Sequence, residues 1–363
     1  MSYTDTYYKR TMADQTTRPA LSGTVECDAV IVGAGLAGLT TALQLARAGK
    51  RVTVLEAESV GFGASGRNGG FVGPGYATGG DDIARVTGKD AARKLHHLSI
   101  EGMDFIRENI KSLGIDGARP EPGIMSVLRY DDGPSLKAYA DETRREYGYD
   151  LDYMDRDAVR AVLKSERYFQ ALRNPNAFHM HPLNYLRAIA AEIERLGGRI
   201  CEQSPATSVD FSRTEKRVKT AGGEVRAHDV VFTTGGYTDG LNGRLKRSFL
   251  PIATYVMVSE EAPELIATAI ATKNAIGDNR RAGDYYRLVD GGRRILWGGR
   301  ITTHAASTAG LVKELRAEMI GTYPQLRDLR TELAWSGLMS YARHLMPQIG
   351  QYRPGVWYCT AFG

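Results

Sequence analysis

A chain of 363 residues, 42% hydrophobic and 25% charged, can bury a large core, which excludes a disordered or fibrous protein. Its formal charge of +5 comes from Lys and Arg spread along the chain without a basic run, so nucleic acid is not an expected partner. Cys27, Cys201 and Cys359 stand far apart without CxxC spacing, which argues against a disulfide framework or a zinc site and for a reducing compartment.

The polar arm "MSYTDTYYKRTMADQTTRP" has no secretory apolar region, and no stretch of the sequence approaches membrane-spanning length. A cytoplasmic protein without membrane contact is expected. After the arm, "DAVIV" (28–32) is a short β-branched strand, and apolar residues from Leu36 to Ala48 then recur at helical spacing until Gly49. "RVTVLE" is a second strand. Between strand and helix, Gly33, Gly35 and Gly38 complete GxGxxG, and Glu56 follows at about the 20-residue distance of an acid that binds a ribose hydroxyl.

Each glycine has a task. Gly33 permits the sharp exit from the strand, Gly35 the approach of a pyrophosphate, and Gly38 close packing of helix on sheet. The helix N-terminus around Leu36 and Ala37 offers unpaired N–H groups to the phosphates. Glu56, with Ala57 beside it, suits a ribose and would repel a 2′-phosphate, so an ADP-like nucleotide is expected and NADP is not.

The next stretch chooses between NAD and FAD. "VGFGASGRNGGFVGPGYATGG" (60–80) holds nine glycines, too little bulk to fill a core and no Ser/Gly repeat of a linker. Such a loop leaves room for a flat group lying against it. Backbone N–H groups over Ala64, Ser65, Gly66, Arg67, Asn68, Gly69 and Gly70 can reach the pyrophosphate and the edge of an isoalloxazine, with Arg67 adding positive charge. FAD is the expected cofactor.

Further along, the spacing predicts a long helix over 89–113, in which His96 and His97 diverge and cannot form a metal pair. No metal site is expected. A strand over "GIMSVLRY", helices over 132–147 and 156–163, a helix from about Leu183 and a strand after Gly198 follow. His181, before Pro182, is the candidate among lone histidines, with a hydrogen-bonded structural role the favoured reading. "VRAHDVVFTTGGY" is a strand entering a second glycine turn.

From Pro251 to Gly299, strand-like runs without helical alternation predict an antiparallel sheet. Laid against a nucleotide domain, it would form a cleft, and Tyr255, Tyr285, Arg287, Trp297 and Arg300 are candidate lining or catalytic residues. Each also suits an ordinary core or surface role. The expected fold class is thus α/β, a Rossmann-like FAD-binding domain with a second, α+β substrate domain built on an antiparallel sheet. The boundaries read as an arm at 1–22, an FAD-binding domain of 23–114, 156–245 and 336–363, and a substrate domain of 115–155 and 246–335.

The segment from "DAVIVGAGLAGL" to "GFGASGRNGG", with "DVVFTTGGYT", "DYYRLVDGGRRILWGGR" and "WSGLMSYARHLMPQIGQYRPGVWYCTAFG", resembles the FAD-dependent oxidoreductases related to glycine oxidase, D-amino acid oxidase and sarcosine oxidase. Within that family the resemblance is greatest to the branch that oxidises γ-glutamylputrescine. It implies that Thr234, Gly235 and Gly236 pass close to the nucleotide and that Val209 offers backbone to the adenine. It also implies oxidation of an amine C–N bond to an imine, by hydride transfer to flavin N5, and hydrolysis to an aldehyde and ammonia, with O₂ or another acceptor taking the electrons.

Three departures from the family refine the expectation. Where relatives carry an arginine that clamps a substrate α-carboxylate, this chain has Gly337, Leu338, Met339 and Ser340, with Arg343 displaced. A small-molecule amine without an α-carboxylate is therefore expected. An oxygen-activating lysine near Leu296 and a flavin-linked cysteine near Trp335 are also missing, so the FAD should be noncovalent. Relatives continue past Gly363 with a glycine turn and a helix, so a C-terminal part of the fold is expected to be missing. Amino-acid or N-methyl-amine oxidation, a flavin domain acting in tRNA modification, and a noncatalytic flavin protein are the alternatives; the oligomeric state stays open.

Overall fold

The computed structural model describes residues 5–280, 282–303 and 308–362, without the side chains of 308 and 309. One sheet contains β1 (Gly23–Val32), β2 (Val52–Leu55), β7 (Arg199–Cys201), β8 (Ser208–Asp210), β9 (Lys216–Lys219), β10 (Gly223–Phe232), β16 (Gln348–Arg353) and β17 (Val356–Thr360). The other contains β3 (Phe71–Val72), β4 (Glu121–Val127), β5 (Asp152–Met154), β6 (Ala171–His179), β11 (Leu250–Ser259), β12 (Ala275–Asp278), β13 (Tyr285–Val289), β14 (Arg294–Thr302) and β15 (Thr331–Tyr341). The helices, in chain order, are α1 (Tyr7–Arg10), α2 (Leu36–Arg47), α3 (Gly80–Thr87), α4 (Lys89–Ser112), α5 (Gly133–Tyr147), α6 (Arg156–Val162), α7 (Pro182–Arg195), α8 (Gly243–Lys246), α9 (Pro263–Ala267) and α10 (Thr308–Thr322).

The first sheet is ordered β16-β17-β10-β1-β2-β7, and β1 pairs in parallel with both β2 and β10. Its central strand is buried on both faces: Val30 and Ile31 are fully covered. Helices α2 and α7 cover one face, where Leu39, Ala42, Leu43 and Ala46 meet Leu186, Ile189, Ala190 and Ile193 in one cluster. These residues recur three and four apart, as a helix with one buried stripe requires. Helix α7 starts where its sequence can stop a preceding extended segment: His181 Nδ1 accepts from the Asn184 N–H at 3.1 Å and Pro182 takes the first turn.

The second sheet is ordered β15-β11-β14-β13-β12-β4-β6-β3. It is antiparallel except where β12 pairs in parallel with β4. Strands β6 and β15, which the expected boundaries place wholly or partly in the nucleotide domain, hydrogen-bond within this sheet. Those boundaries followed sequence order, whereas the chain crosses between sheets more often than composition reveals. Under β11, β13 and β14 lies a core of Tyr255, Met257, Tyr286, Ile295 and Trp297 against Leu315, Met319 and Tyr323. This core decides which side chains remain for the cleft.

Candidate active site

The site is assembled from backbone first. Gly33 leaves β1 with φ +107°, and its N–H donates to the Leu55 carbonyl at 2.8 Å. A Cβ on Gly38 would stand 2.0 Å from the Gly33 carbonyl oxygen, so α2 can close on the turn only with glycine there. Gly35, at the N-cap of α2, offers no capping side chain. This helix end, with Gly33, Gly35 and Ala37 half-buried and Leu36 exposed, faces the glycine loop, and the Leu36 N–H donates to Ser65 Oγ at 3.0 Å. The geometry suits a pyrophosphate: bare backbone, helix-end N–H groups and a hydroxyl in one place.

Glu56 stands at the end of β2, half-buried, while Ala57 is exposed. Its two carboxylate oxygens accept from the Ala34 N–H at 2.7 Å and the Glu58 N–H at 3.0 Å, which fixes the carboxylate in orientation. Burial raises its pKa above the ordinary carboxylate range, against the opposing effect of those amides. Beside it, the Glu56 N–H donates to the Cys201 carbonyl and the Ser204 N–H to the Glu56 carbonyl, both within 2.9 Å. Val209 lies beyond this point, in β8, paired with Val218 and packed on the core. The segment after β7 that is bonded to Glu56 is Cys201–Ser204, which sequence reasoning passed over because nothing marks the length of the turn there.

The glycine loop folds back on itself and onto the second sheet. Cβ atoms on Gly66 and Gly70 would stand 2.1 Å from the carbonyl oxygens of Gly61 and Met180. Arg67, expected to face the phosphates, is buried: its guanidinium lies over the Phe62 ring and Nη1 donates to the Ser336 carbonyl at 3.2 Å. It anchors the loop to β15. Asn68 is exposed, Ala64 and Ser65 are half-buried, and Gly69 packs against the Tyr285 ring. Thr234, Gly235 and Gly236 are half-buried across the seam, where Gly236 meets Leu338 and Met339.

The second sheet supplies the floor of this seam. Tyr285 lies flat across Gly298, where a Cβ would stand 2.1 Å from the ring, with its hydroxyl beside Thr254. Burial pushes the Tyr285 phenol up to about 12, so it stays neutral at working pH. Gly337 faces Ala64 and Arg67, with half-buried Met339 and Tyr341 further along the same strand. Thr254 and Tyr341 were not singled out in the sequence, because strand parity cannot be read where aromatic residues fall on both faces.

Other expected site residues stand elsewhere. Trp297 is fully buried and stacked on Tyr286 at 4.1 Å, and Tyr255 lies in the same core with its hydroxyl 2.9 Å from Thr302 Oγ1. Both are on the α10 side of the sheet. Arg300 also faces that side, paired with Glu314 and Glu318 at 3.4 and 3.3 Å. Arg287 shares the Tyr285 face but is buried and bonded to protein: Nε to the Gly69 carbonyl at 2.7 Å, Nη2 to Met180 O at 2.8 Å, and Nη1 to His179 Nδ1 at 3.3 Å. His181 caps α7, and its Nε2 lies 3.0 Å from Thr11 Oγ1. Burial, with the Arg287 charge, lowers His179 to about 4 and His181 to about 3, so both are neutral. A separate cavity of about 330 Å³, lined by Tyr7, Arg119, Lys273 and Asp290 among others, lies behind Arg287 and apart from the seam.

Among the described residues, no His, Cys, Asp or Glu cluster of three or more could hold a metal, and no helix is long and apolar enough to cross a membrane. A family model described as "DAO: FAD dependent oxidoreductase" matches residues 28–363. The chain belongs to this family.

It is an FAD-dependent oxidoreductase of the class that acts on amines or amino acids. The chain is 32% identical over 362 residues to gamma-glutamylputrescine oxidoreductase of Escherichia coli (strain K12), an alignment covering 99% of this chain and 84% of that protein. It is 30% identical over 350 residues to the probable oxidoreductase OrdL of Haemophilus influenzae, covering 95% and 80%. Among solved structures, glycine oxidase from Geobacillus kaustophilus superposes with a TM-score of 0.78 at 18% identity, covering 93% of this chain and 90% of that one. At that identity the likeness shows the fold. The α2 N-terminus, the Gly33–Gly38 approach and the oriented Glu56 fit the FAD that the family uses.

Proposed function

We propose that this enzyme oxidises a primary amine that carries no carboxylate on its reacting carbon, with γ-glutamylputrescine or a closely related γ-glutamylated diamine as substrate. The observation that carries the reading is the chemistry of the floor. Thr254, Tyr285, Gly298, Gly337, Met339 and Tyr341 are all uncharged, Arg287 is already bonded to protein, and Arg343 is exposed beyond the end of β15. A substrate α-carboxylate would enter this surface without a bidentate partner. An uncharged CH₂–NH₂ end would not. The similarity to gamma-glutamylputrescine oxidoreductase over nearly the whole chain supports the same substrate class.

When bound, FAD would supply the two-electron acceptor for the hydride that leaves the amine carbon, as that C–H bond breaks, the nitrogen lone pair forms C=N and an N–H proton passes to solvent. The chain's own residues position and exclude. The glycines Gly33, Gly35 and Gly38 and the α2 end hold the pyrophosphate, Glu56 the ribose, and the 64–70 loop together with Thr234–Gly236 the walls of the seam. The neutral floor favours the unprotonated amine, whose lone pair assists loss of the hydride, and the Tyr285 phenol can donate a hydrogen bond without acting as a base. The imine then takes up water and releases an aldehyde and ammonia, while O₂ or another acceptor takes the electrons.

The cofactor is proposed to be noncovalent. Cys27 and Cys201 are buried within the first sheet and Cys359 pairs across β16, so none of these thiols stands on the loop or on the floor. Trp335 occupies the floor near the loop and Leu296 lies in a buried apolar cluster. Acid precipitation should leave the yellow colour in the supernatant, and incubation with γ-glutamylputrescine should yield aldehyde and ammonia in equal amounts. Colour retained in the pellet would contradict the first statement; ammonia without aldehyde would contradict the second.

A further inference from the structure

The loop between Ser65 and Gly70 is held from below by an unusual sequence of contacts. The Arg67 carbonyl accepts from Trp335 Nε1 at 2.8 Å, the Asn68 carbonyl from the Tyr8 hydroxyl at 2.7 Å, and the Gly69 carbonyl from Arg287 Nε at 2.7 Å. Three consecutive peptide oxygens are thus drawn inward by three buried side chains, from β15, from the N-terminal arm and from β13. In a trans peptide the carbonyl and the following N–H point in opposite directions. The N–H groups of Asn68, Gly69 and Gly70 are therefore turned away from the arm and the sheet. The Gly70 N–H is taken by Asn68 Oδ1 at 2.8 Å, while those of Asn68 and Gly69 have no partner among the described residues.

Tyr8 is built into this arrangement. It is fully buried, its ring meets Trp335 and His181 edge-on at 5.7 and 4.9 Å, and its oxygen accepts from Arg287 Nη2 at 3.2 Å while its proton goes to Asn68. The hydroxyl thereby links two of the three clamps. Its neighbour Tyr7 turns elsewhere and donates to Asp290 Oδ1 at 2.8 Å. The arm is strapped along its length: the Ala13 N–H donates to Asn184 Oδ1, Arg18 pairs with Glu194, and Glu202 accepts from both the Arg18 and Val60 N–H groups.

We infer that the N-terminal arm is part of the flavin site, with Tyr8 a positioning residue that, together with Arg287 and Trp335, fixes the glycine loop so that the Asn68 and Gly69 N–H groups face the cofactor. This rests on the reading that FAD lies along the 64–70 loop. Oriented backbone donors stabilise charge that develops when the flavin is reduced, and they do so best when they need not reorganise. Anchoring the carbonyl ends of the same peptides from inside the protein supplies that orientation without placing any charged side chain in the cleft.

The test compares Tyr8→Phe with Tyr7→Phe in the flavin-loaded enzyme, reading the Kd for FAD, the visible spectrum, the midpoint potential and Tm. Tyr8→Phe keeps the ring and removes the donor, and Arg287 Nη2 retains Met180 O. Loss of one such hydrogen bond should raise the Kd for FAD by about threefold to tenfold. A similar loss of preference for reduced flavin, at about 30 mV per factor of ten for a two-electron couple, moves the midpoint potential about 15–30 mV more negative. Tyr7→Phe should leave both at the wild-type value. A Trp335→Phe variant, which frees the Arg67 carbonyl from a different element, should shift the potential in the same direction, and this holds whether or not Tyr8→Phe folds well. Wild-type potential and Kd in Tyr8→Phe or in Trp335→Phe, or equal shifts in the two tyrosine variants, would overturn the inference. FAD binding that survives Gly35→Glu would instead overturn the placement of the cofactor on which it rests.

Discussion

The two faces of the second sheet are built from the same kinds of residue and do different work. On one face Tyr255, Tyr286 and Trp297 close against α10 in a buried aromatic core, with the Tyr286 hydroxyl bonded to Tyr323 at 2.7 Å and to Tyr168 at 3.2 Å. On the other, Tyr285 lies across Gly298 beneath the glycine loop. Tyr285 and Tyr286 are adjacent in sequence, and only strand alternation sends one to the cleft and the other to the core. Aromatic content therefore says that a strand is half-buried, and the partner on each face says what the burial is for.

Perturbations should separate along this division. The largest effect is expected on the cleft side from Gly35→Glu: a Cβ there would already stand 3.0 Å from Ser65 Oγ, and the carboxylate would repel a pyrophosphate. The purified variant should be folded by circular dichroism and carry no flavin absorbance; a normal flavin content would show that the nucleotide lies elsewhere. On the core side, Trp297→Ala should cost about 3–5 kcal/mol of stability, read as a lower denaturant midpoint. The flavin spectrum and the turnover of the folded fraction should stay near wild type. Loss of activity in excess of the unfolded fraction would place Trp297 back in the site.

A third outcome concerns the junction between the faces, where His179 and His181 are neutral and their pKa values lie near 4 and 3, below the ordinary value of about 6.5. The unfolded chain binds these protons at higher pH than the folded one does. Their contribution to stability is thus complete above about pH 6.5 and is lost as pH falls toward 4, at up to about 1.4 kcal/mol per pH unit for each histidine. Urea melts between pH 7 and 5 should show this slope, and His181→Gln should flatten it. An unchanged slope would mean that His181 binds its proton equally well in the folded and unfolded chain.

The smallest effect is the sharpest discriminator. Tyr285→Phe should raise KM for the amine by about twofold to threefold with little change in Tm, as expected for one neutral hydrogen bond at a partly open surface. Tyr286→Phe should do the reverse, lowering Tm and sparing KM. Identical behaviour of the two would erase the distinction between the faces.

The strand, glycine turn and helix of the candidate nucleotide site were legible in the sequence because their backbone requirements are local. Gly33, Gly35, Gly38 and Glu56 sit at fixed distances along one strand, turn, helix and strand, and each distance is set by backbone geometry. The glycine loop was legible for the same reason, since bare backbone is visible in composition. Arg67 was not, because its buried course toward Ser336 depends on β15, far away in the chain. The aromatic candidates divided by parity, which neither β-propensity nor hydrophobicity encodes when residues such as Tyr285 and Tyr286 alternate without a polar marker. Tyr8 carried no signal at all: a tyrosine in a polar arm reads as solvent-exposed until the contacts to Asn68 and Arg287 are seen.

The central claim, that an uncharged floor selects amines without an α-carboxylate, is tested most directly by anaerobic stopped-flow reduction of the FAD-loaded enzyme. Flavin bleaching by γ-glutamylputrescine should be at least about tenfold faster, in kred/Kd, than bleaching by glycine, D-alanine or sarcosine, the difference expected from leaving one substrate carboxylate unpaired. Faster bleaching by D-alanine or glycine than by γ-glutamylputrescine would contradict it.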